Sequence, residues 1–167
     1  TLFPHMGPSD AHSDFRMARS GAYFLKLRSY WLRQWLIRLS HESAPAGSEA
    51  KVAQLNGALE DEERWLRHLP TRDFPPLEGV MDLHFEDLEH HDDEEYWSPV
   101  RVSDRFGEID LPIYHCGGWF DFLLRSTLRS FTGIQAQGMS EHCRTNQRLI
   151  IGPWIHSPTS FLERQAG

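Results

Sequence analysis

Apolar residues in the first part of the chain recur at intervals of three and four, which is the spacing of one helix face. Aromatic and leucine side chains keep this spacing from Tyr23 to Leu39, whereas Arg28, Arg33 and Arg38 lie mostly off that face. Such a pattern predicts an amphipathic helix over this segment.

A second periodic segment follows a polar linker at residues 41–47. It begins at Ser48 and keeps helical spacing until Pro70, which cannot continue a helix. A shorter helix is predicted within residues 77–88, ahead of the charged run at 90–95. The first hundred residues are therefore expected to be mainly helical.

The pattern changes near Val100 to that of strands alternating with a helix. Two nearly continuous apolar runs, Leu111–Cys116 and Arg148–Gly152, flank a segment of helical periodicity that begins at Phe122. Strands that are apolar on both sides, joined by a helix, are typical of a parallel sheet covered on both faces. The sequence therefore predicts an α/β fold class for this part of the chain.

Each of the two predicted strands is followed by a residue that can take part in proton transfer. Asp121 comes after a Gly-Gly-Trp-Phe sequence that we interpret as a loop, and His156 comes after Pro-Trp-Ile. Open parallel sheets place their chemistry at the carboxyl ends of the strands, where a carboxylate can orient an imidazole that acts as a base. An Asp after a strand also commonly caps the next helix, and a loop His commonly lies at the surface.

Composition narrows the range of partners. The chain has 17 Lys and Arg against 24 Asp and Glu, a net charge of −7, whereas nucleic-acid binding depends on clustered cations. No apolar run reaches the roughly 18–20 residues of a membrane-spanning helix. We therefore expect neither a nucleic acid nor a membrane as partner.

Cysteine and histidine usage indicates no metal centre. Cys116 and Cys143 lack the close spacing of metal or redox sites and are expected to be free thiols, which favours a reducing, cytoplasmic location. The His-His-Asp-Asp-Glu-Glu run at residues 90–95 is expected to be a solvated loop, because adjacent side chains point in different directions.

The blocks Gly-Gly-Trp-Phe-Asp at 117–121 and Gly-Pro-Trp-Ile-His at 152–156, with the strands before them, resemble the CocE/NonD family of serine hydrolases. This family belongs to the Xaa-Pro dipeptidyl-peptidase-like group of α/β-hydrolases, which includes esterases and acylases. The Asp-Glu-Glu-Tyr-Trp run at 93–97 is similar to the family's helical cap region.

The resemblance implies both a domain organisation and a site. Residues 1–99 would form a mainly helical cap, and residues 100–167 the C-terminal part of an α/β-hydrolase core. Asp121 would be the triad acid and His156 the triad base, with no cofactor required. Aromatic residues around these blocks are expected to pack beside the pair and to contact substrate: Trp119, Phe120, Phe122, Trp154, Tyr96 and Trp97.

The sequence departs from the family in one respect. It contains no G-x-S-x-G nucleophile elbow, and the nearest string, Gly138 to His142, lacks the second glycine. We therefore expect the serine and the oxyanion donors to lie in an N-terminal part of the same protein outside this chain. The isolated chain is expected to be inactive.

The residues after Asp121 bear on the substrate. In members of the family that select a free α-amino group, carboxylates closely follow the triad Asp, whereas here Phe122, Leu123 and Leu124 follow it. The resemblance therefore favours a small-molecule ester or amide with an uncharged, apolar acyl group over amino-acid esters, and Xaa-Pro dipeptidyl bonds stay open as an alternative.

A different class of function is also compatible with the first half of the chain. The Trp-rich helical hairpin predicted between Tyr23 and Leu69 could present its apolar face to a partner, as a non-catalytic binding module does. Such a module has no need for paired Asp121 and His156 side chains. The two interpretations therefore differ in whether these side chains lie within hydrogen-bond distance.

Overall fold

The computed structural model of the chain describes residues 1–16, 22, 23, 25 and 47–156. The chain divides into two compact units, one comprising Thr1–Gly21 and Glu94–Gly167 and the other Ala22–Asp93. Apart from Tyr23 and Leu25, the helix predicted over 23–39 lies outside the described residues. The domain division predicted at residue 99 stays a prediction.

The described part of the 22–93 unit contains helices joined by turns, and its regular elements are helical as the periodicity predicts. Its helices are α1 (Ser48–Glu60), α2 (Glu62–Leu66) and α3 (Asp82–Glu89), with a 3-10 turn at Pro75–Leu77. The second predicted helix is thus interrupted, because Asp61 leaves helical geometry at φ −120° and ψ 44°.

A small apolar core holds this unit together. Leu55 of α1 packs with Phe74, Leu77 and Met81, all of which are buried. Burial of such side chains is the main favourable contribution to folding. The spacing of apolar residues in α1 therefore places Leu55 against residues 74–81, which precede α3.

The other unit contains the strands. After a π-helical turn at His12–Arg16, its elements are α4 (Glu94–Trp97), 3-10 turns at Ser98–Val100 and Val102–Glu108, β1 (Tyr114–Phe120), α5 (Leu124–Gln137), α6 (Glu141–Thr145) and β2 (Arg148–Ile155). The predicted strand–helix–strand order is confirmed. The sequence analysis missed α6, which is only five residues long.

β1 and β2 form a parallel pair, with Tyr114 opposite Arg148 and Gly118 opposite Gly152. On the other side of β1, Leu2 makes a parallel bridge to Ile113. The N-terminal segment therefore extends the sheet beyond the two predicted strands. This mixed arrangement of helices and parallel strands is compatible with an α/β fold.

The bounds of β1 differ from the sequence prediction, and the two faces of the sheet differ in burial. The Gly-Gly-Trp-Phe sequence, predicted as a loop, belongs to β1. Within the described chain, helix α5 packs on one face, whereas Tyr114, Phe120, Ile150 and Ile155 of the other face are between 41% and 72% exposed. Among the residues described, this second face is buried at Cys116 and exposed at the four positions named, and a sheet covered on both faces stays a prediction.

Buried contacts fix α5 against the rest of its unit. Ile134 of α5 joins Phe106, Ile113 and Cys143 in a second apolar core. Gly133 faces the ring of Phe106 so closely that a Cβ atom there would overlap it. The helix must therefore carry glycine at this position to reach its packing distance.

A buried polar cluster fastens the N-terminal segment to the same helix. Asp14 Oδ2 accepts hydrogen bonds from Ser126 Oγ at 2.7 Å and from Ser9 Oγ at 2.9 Å. Arg129 places a guanidinium nitrogen 3.5 Å from Asp14 Oδ1. Burial of this carboxylate is thus offset by several donors, as a buried charge requires.

Both cysteines of the chain, Cys116 and Cys143, are buried and carry free thiols. No helix among the residues described is both long enough and apolar enough to cross a membrane.

Candidate active site

Asp121 and His156 stand at the same edge of the sheet. They directly follow Phe120 and Ile155, which are the last paired residues of β1 and β2. Because the strands are parallel, their carboxyl ends meet at one edge, as the sequence predicts.

The two side chains are hydrogen-bonded. His156 Nδ1 lies 2.9 Å from Asp121 Oδ1, and the same oxygen accepts the backbone N–H of Leu123 at 2.8 Å. The Asp121 side chain is fully buried, whereas that of His156 is 30% exposed. The carboxylate that holds the imidazole therefore also bonds to the backbone just ahead of α5, but Asp121 is not the N-cap of that helix, a position that Leu123 occupies.

This geometry determines which ring nitrogen is available for proton transfer. A carboxylate only accepts hydrogen bonds, so Nδ1 of His156 carries the proton that it donates to Asp121. The lone pair of the neutral ring is then on Nε2. An imidazole held in this way can take up a proton at Nε2 while the adjacent carboxylate stabilises the resulting positive charge.

Asp121 retains one unused acceptor. Its Oδ2 atom is buried, and no donor in the described part of the chain lies within hydrogen-bond distance of it. A buried carboxylate oxygen without a partner is costly, and such groups concentrate at functional sites.

Phe122 provides an apolar wall beside the pair. Its ring centroid lies 4.4 Å from that of His156, with the two planes inclined at 44°. The Phe122 side chain is 50% exposed, so part of the ring is open to a ligand. Of the six aromatic residues predicted to bind substrate, this one has a ring contact with the pair.

The other aromatic residues near the strand ends have different surroundings. Trp119 and Phe120 are 61% and 72% exposed, and strand alternation directs them to opposite faces of the sheet. Trp154 is half-buried, with its indole close against Gly152.

Tyr96 and Trp97 lie on α4 and contact each other edge to face, with ring centroids 5.0 Å apart. Trp97 is buried and also packs on the ring of His12 at 4.9 Å. This packing gives Trp97 a core position, and a substrate-binding role for either residue stays a prediction.

His5 is a neighbour of the pair that the sequence analysis missed. It makes a parallel bridge to Cys116, and its charge interacts with those of Asp121 and His156. Burial lowers the pKa of His5, Asp121 opposes that change, and His156 adds to it. No spacing signal could have found His5, because it precedes every recognisable strand and follows a proline.

His115 is a buried structural residue. Gln147 Nε2 donates to the carbonyls of Leu111 and Cys143, so Gln147 Oε1 accepts from His115 Nε2, at 2.9 Å. Burial lowers the pKa of His115, and the bond to Gln147 partly offsets this. Burial also raises the pKa of the Cys116 thiol, which does not favour a nucleophilic thiolate.

The charged run at residues 90–95 includes a hydrogen bond between His90 Nδ1 and Asp93 Oδ2 at 2.9 Å. Within the described ranges, no group of three or more His, Cys, Asp or Glu side chains is arranged to hold a metal ion.

Parallel strands that end in a hydrogen-bonded acid–base pair are an arrangement found in α/β-type enzymes. The sequence profile of the X-Pro dipeptidyl-peptidase (S15 family) matches residues 1–158, and the chain therefore belongs to this family.

A characterised relative agrees with this assignment. The chain is 25% identical over 119 residues to cocaine esterase from Rhodococcus sp. (strain MB1 Bresler). The matched region is 71% of this chain and 20% of the esterase, so the chain spans about a fifth of that relative's length. Both comparisons associate the chain with hydrolases.

Proposed function

We propose that the chain is part of a serine-type hydrolase, in which Asp121 and His156 are the acid and the base of a Ser-Asp-His triad. The observation that carries the proposal is the 2.9 Å hydrogen bond between a buried carboxylate and a partly exposed imidazole. A non-catalytic helical binding module has no need for such a bond. The distance therefore favours the hydrolase over that alternative.

The pair would act as base and then as acid. His156 Nε2 takes the proton of a serine hydroxyl while the serine oxygen attacks the substrate carbonyl, and Asp121 stabilises the imidazolium that forms. The imidazolium then gives this proton to the leaving alcohol or amine, and an acyl-enzyme remains. In the second half, Nε2 takes a proton from water, which attacks the ester, and returns it to the serine.

The serine and the oxyanion donors are proposed to lie outside residues 1–167. The sequence has no G-x-S-x-G elbow, and the characterised relative is about five times longer than the matched region. Residues 1–99 would be the helical cap and residues 100–167 the C-terminal part of the core. The chain alone would then hold half of the catalytic machinery and would not hydrolyse substrate.

The proposed substrate is a small ester or amide with an uncharged acyl group, and an Xaa-Pro dipeptidyl bond, whose acyl part ends in an α-ammonium, is the less favoured case. Phe122 presents an apolar ring beside His156, and the next residue, Leu123, is buried. The positions after Asp121 therefore offer no carboxylate to a substrate ammonium. Trp119, Phe120, Trp154, Tyr96 and Trp97 are the further candidates for substrate contacts.

The test uses the polypeptide in which this chain is joined to its nucleophile-bearing part. His156→Ala should lower kcat for a p-nitrophenyl ester by about 10⁴-fold, because it removes the base. His142→Ala is the matched control, since His142 is exposed on α6 and bonds only locally to Asn146. Retention of activity within about tenfold in His156→Ala would refute the assignment.

A further inference from the structure

β2 contains one residue more than β1 just before the site. Gly118 pairs with Gly152, and the next pair is Phe120 with Ile155. Pro153 and Trp154 therefore stand opposite the single residue Trp119. This is a β-bulge, a feature that changes the direction of side chains and is common beside active sites.

The bulge determines which residue at the end of β2 lies opposite Asp121. Counting one residue on from the pair of Phe120 and Ile155 brings Asp121 level with His156. Without the extra residue, Ile155 would lie level with Asp121 and His156 with Phe122. A slip of one residue also moves each side chain to the opposite face of a strand, so the imidazole would point away from the carboxylate.

The position of Asp121 is fixed independently of β2. Its carboxylate accepts the N–H of Leu123, and its carbonyl accepts the N–H of Leu124 at 3.0 Å, at the start of α5. The hydrogen bond between Asp121 and His156 therefore depends on where His156 lies at the end of β2.

Two facing glycines make room for the bulge. A Cβ atom on Gly118 would overlap the carbonyl oxygen of Trp154 and lie 2.7 Å from its carbonyl carbon. A Cβ atom on Gly152 would lie 2.5 Å from two atoms of the Trp154 indole. The first contact is with backbone, which cannot move without changing the bulge, whereas the second is with a side chain.

We infer that the bulge at Pro153 and Trp154, admitted by Gly118 and Gly152, is the device that positions His156 on Asp121. The inference rests on the proposed function in one respect, because it treats this pair as the acid–base half of the site. Gly118 and Gly152 are then positioning residues, the backbone of Trp154 forms part of the bulge, and none of the three takes part in proton transfer.

The first test is Gly118→Ala in the 167-residue chain, observed by NMR of ¹⁵N-histidine-labelled protein. The wild-type chain should give a downfield proton signal from the Nδ1–H of His156 that bonds to Asp121. Gly118→Ala should lose this signal while the backbone spectrum stays folded. Gly107→Ala is the matched control, since its Cβ would meet only the Gln137 carbonyl oxygen, at an ordinary 3.5 Å.

The second test separates the bulge from general packing. Gly152→Ala should also lose the signal, and Gly152→Ala with Trp154→Ala should regain it, because the indole that collides with the new methyl group is gone. Trp154→Ala alone should keep the signal. Adding Trp154→Ala to Gly118→Ala should give no rescue, because the collision there is with backbone.

A folded Gly118→Ala chain that keeps the signal overturns the inference. If Gly118→Ala does not fold, the Gly152 series decides: a signal retained in Gly152→Ala, or not regained in the double variant, also overturns it. A further outcome is that the variants lose the signal as expected while the complete protein hydrolyses no ester. This pair of results would refute the proposed function and would still support the inference about the bulge.

Discussion

His156 donates from Nδ1 to Asp121 Oδ1 across 2.9 Å, and the carboxylate that accepts this hydrogen bond is fully buried while the ring is not. A buried acceptor and a partly exposed ring leave Nε2 as the atom of the pair that can exchange a proton with a bound molecule. The chemistry proposed for the protein depends on this relationship.

Asp121→Asn should retain the fold and lose catalysis. An asparagine amide can donate to Nδ1, which would place the imidazole proton on Nε2 and remove the base. In the complete protein, kcat should fall by about 10⁴-fold. Asp92→Asn is the control, because its side chain is 84% exposed and its oxygen lies 3.8 Å from the His91 ring nitrogen, which is longer than a hydrogen bond. Equal kcat in the two variants would contradict the assigned role of Asp121.

Phe122→Glu should change substrate preference. The substitution places a carboxylate where an apolar ring now lies against His156, so a substrate ammonium would gain a partner and an apolar acyl group would lose its contact. The ratio of kcat/KM for a phenylglycine ester to that for a phenylacetate ester should rise by about tenfold or more. Phe122→Leu keeps the site apolar and should leave the ratio unchanged. An unchanged ratio in Phe122→Glu would show that other residues recognise the acyl group.

The free energy of unfolding should fall as the pH drops below about 6.5, the pKa of an unperturbed histidine. Burial lowers the pKa of His115 in the folded chain, so the unfolded chain binds a proton that the native state does not bind. His5 contributes in the same direction. The free energy of unfolding can be measured with urea between pH 5 and pH 8, a range of about three units around that pKa. The slope of this free energy against pH should be smaller for His115→Gln than for the wild type. An identical slope in the two proteins would contradict the prediction, and the exposed His142→Gln should behave as the wild type does.

Asp14→Ala should destabilise the protein by about 2–4 kcal/mol, because the donors of Ser9, Ser126 and Arg129 would lose a buried acceptor. The measurement is the midpoint of urea unfolding at constant m-value. Asp92→Ala serves as the exposed control, with an expected change within about 0.5 kcal/mol. A change of that small size in Asp14→Ala would mean that the cluster does not hold the N-terminal segment.

The sequence predicts those features of the site that follow from the local pattern of apolar and polar residues. Two apolar runs separated by a helical segment indicate parallel strands, and parallel strands bring the residues that follow them to one edge. Asp121 and His156 can therefore be paired by sequence alone. The structure adds that their side chains are hydrogen-bonded.

The remaining features depend on contacts between distant positions. A Gly-Gly sequence on its own is typical of a loop. Here Gly118 lies in β1, where it makes room for Trp154, which is 36 residues later in the chain, and the local sequence does not show this contact. Ser9 and Ser126 share the carboxylate of Asp14 across more than a hundred residues. Neither contact leaves a periodic signal.

The most direct test of the central claim is the tautomer of His156, read from long-range ¹⁵N–¹H correlations in the labelled 167-residue chain and in Asp121→Asn. The account predicts that neutral His156 carries its proton on Nδ1 in the wild-type chain and on Nε2 in Asp121→Asn. A proton on Nε2 in the wild-type chain, or the same tautomer in both proteins, would contradict the claim that Asp121 prepares His156 to act as a base.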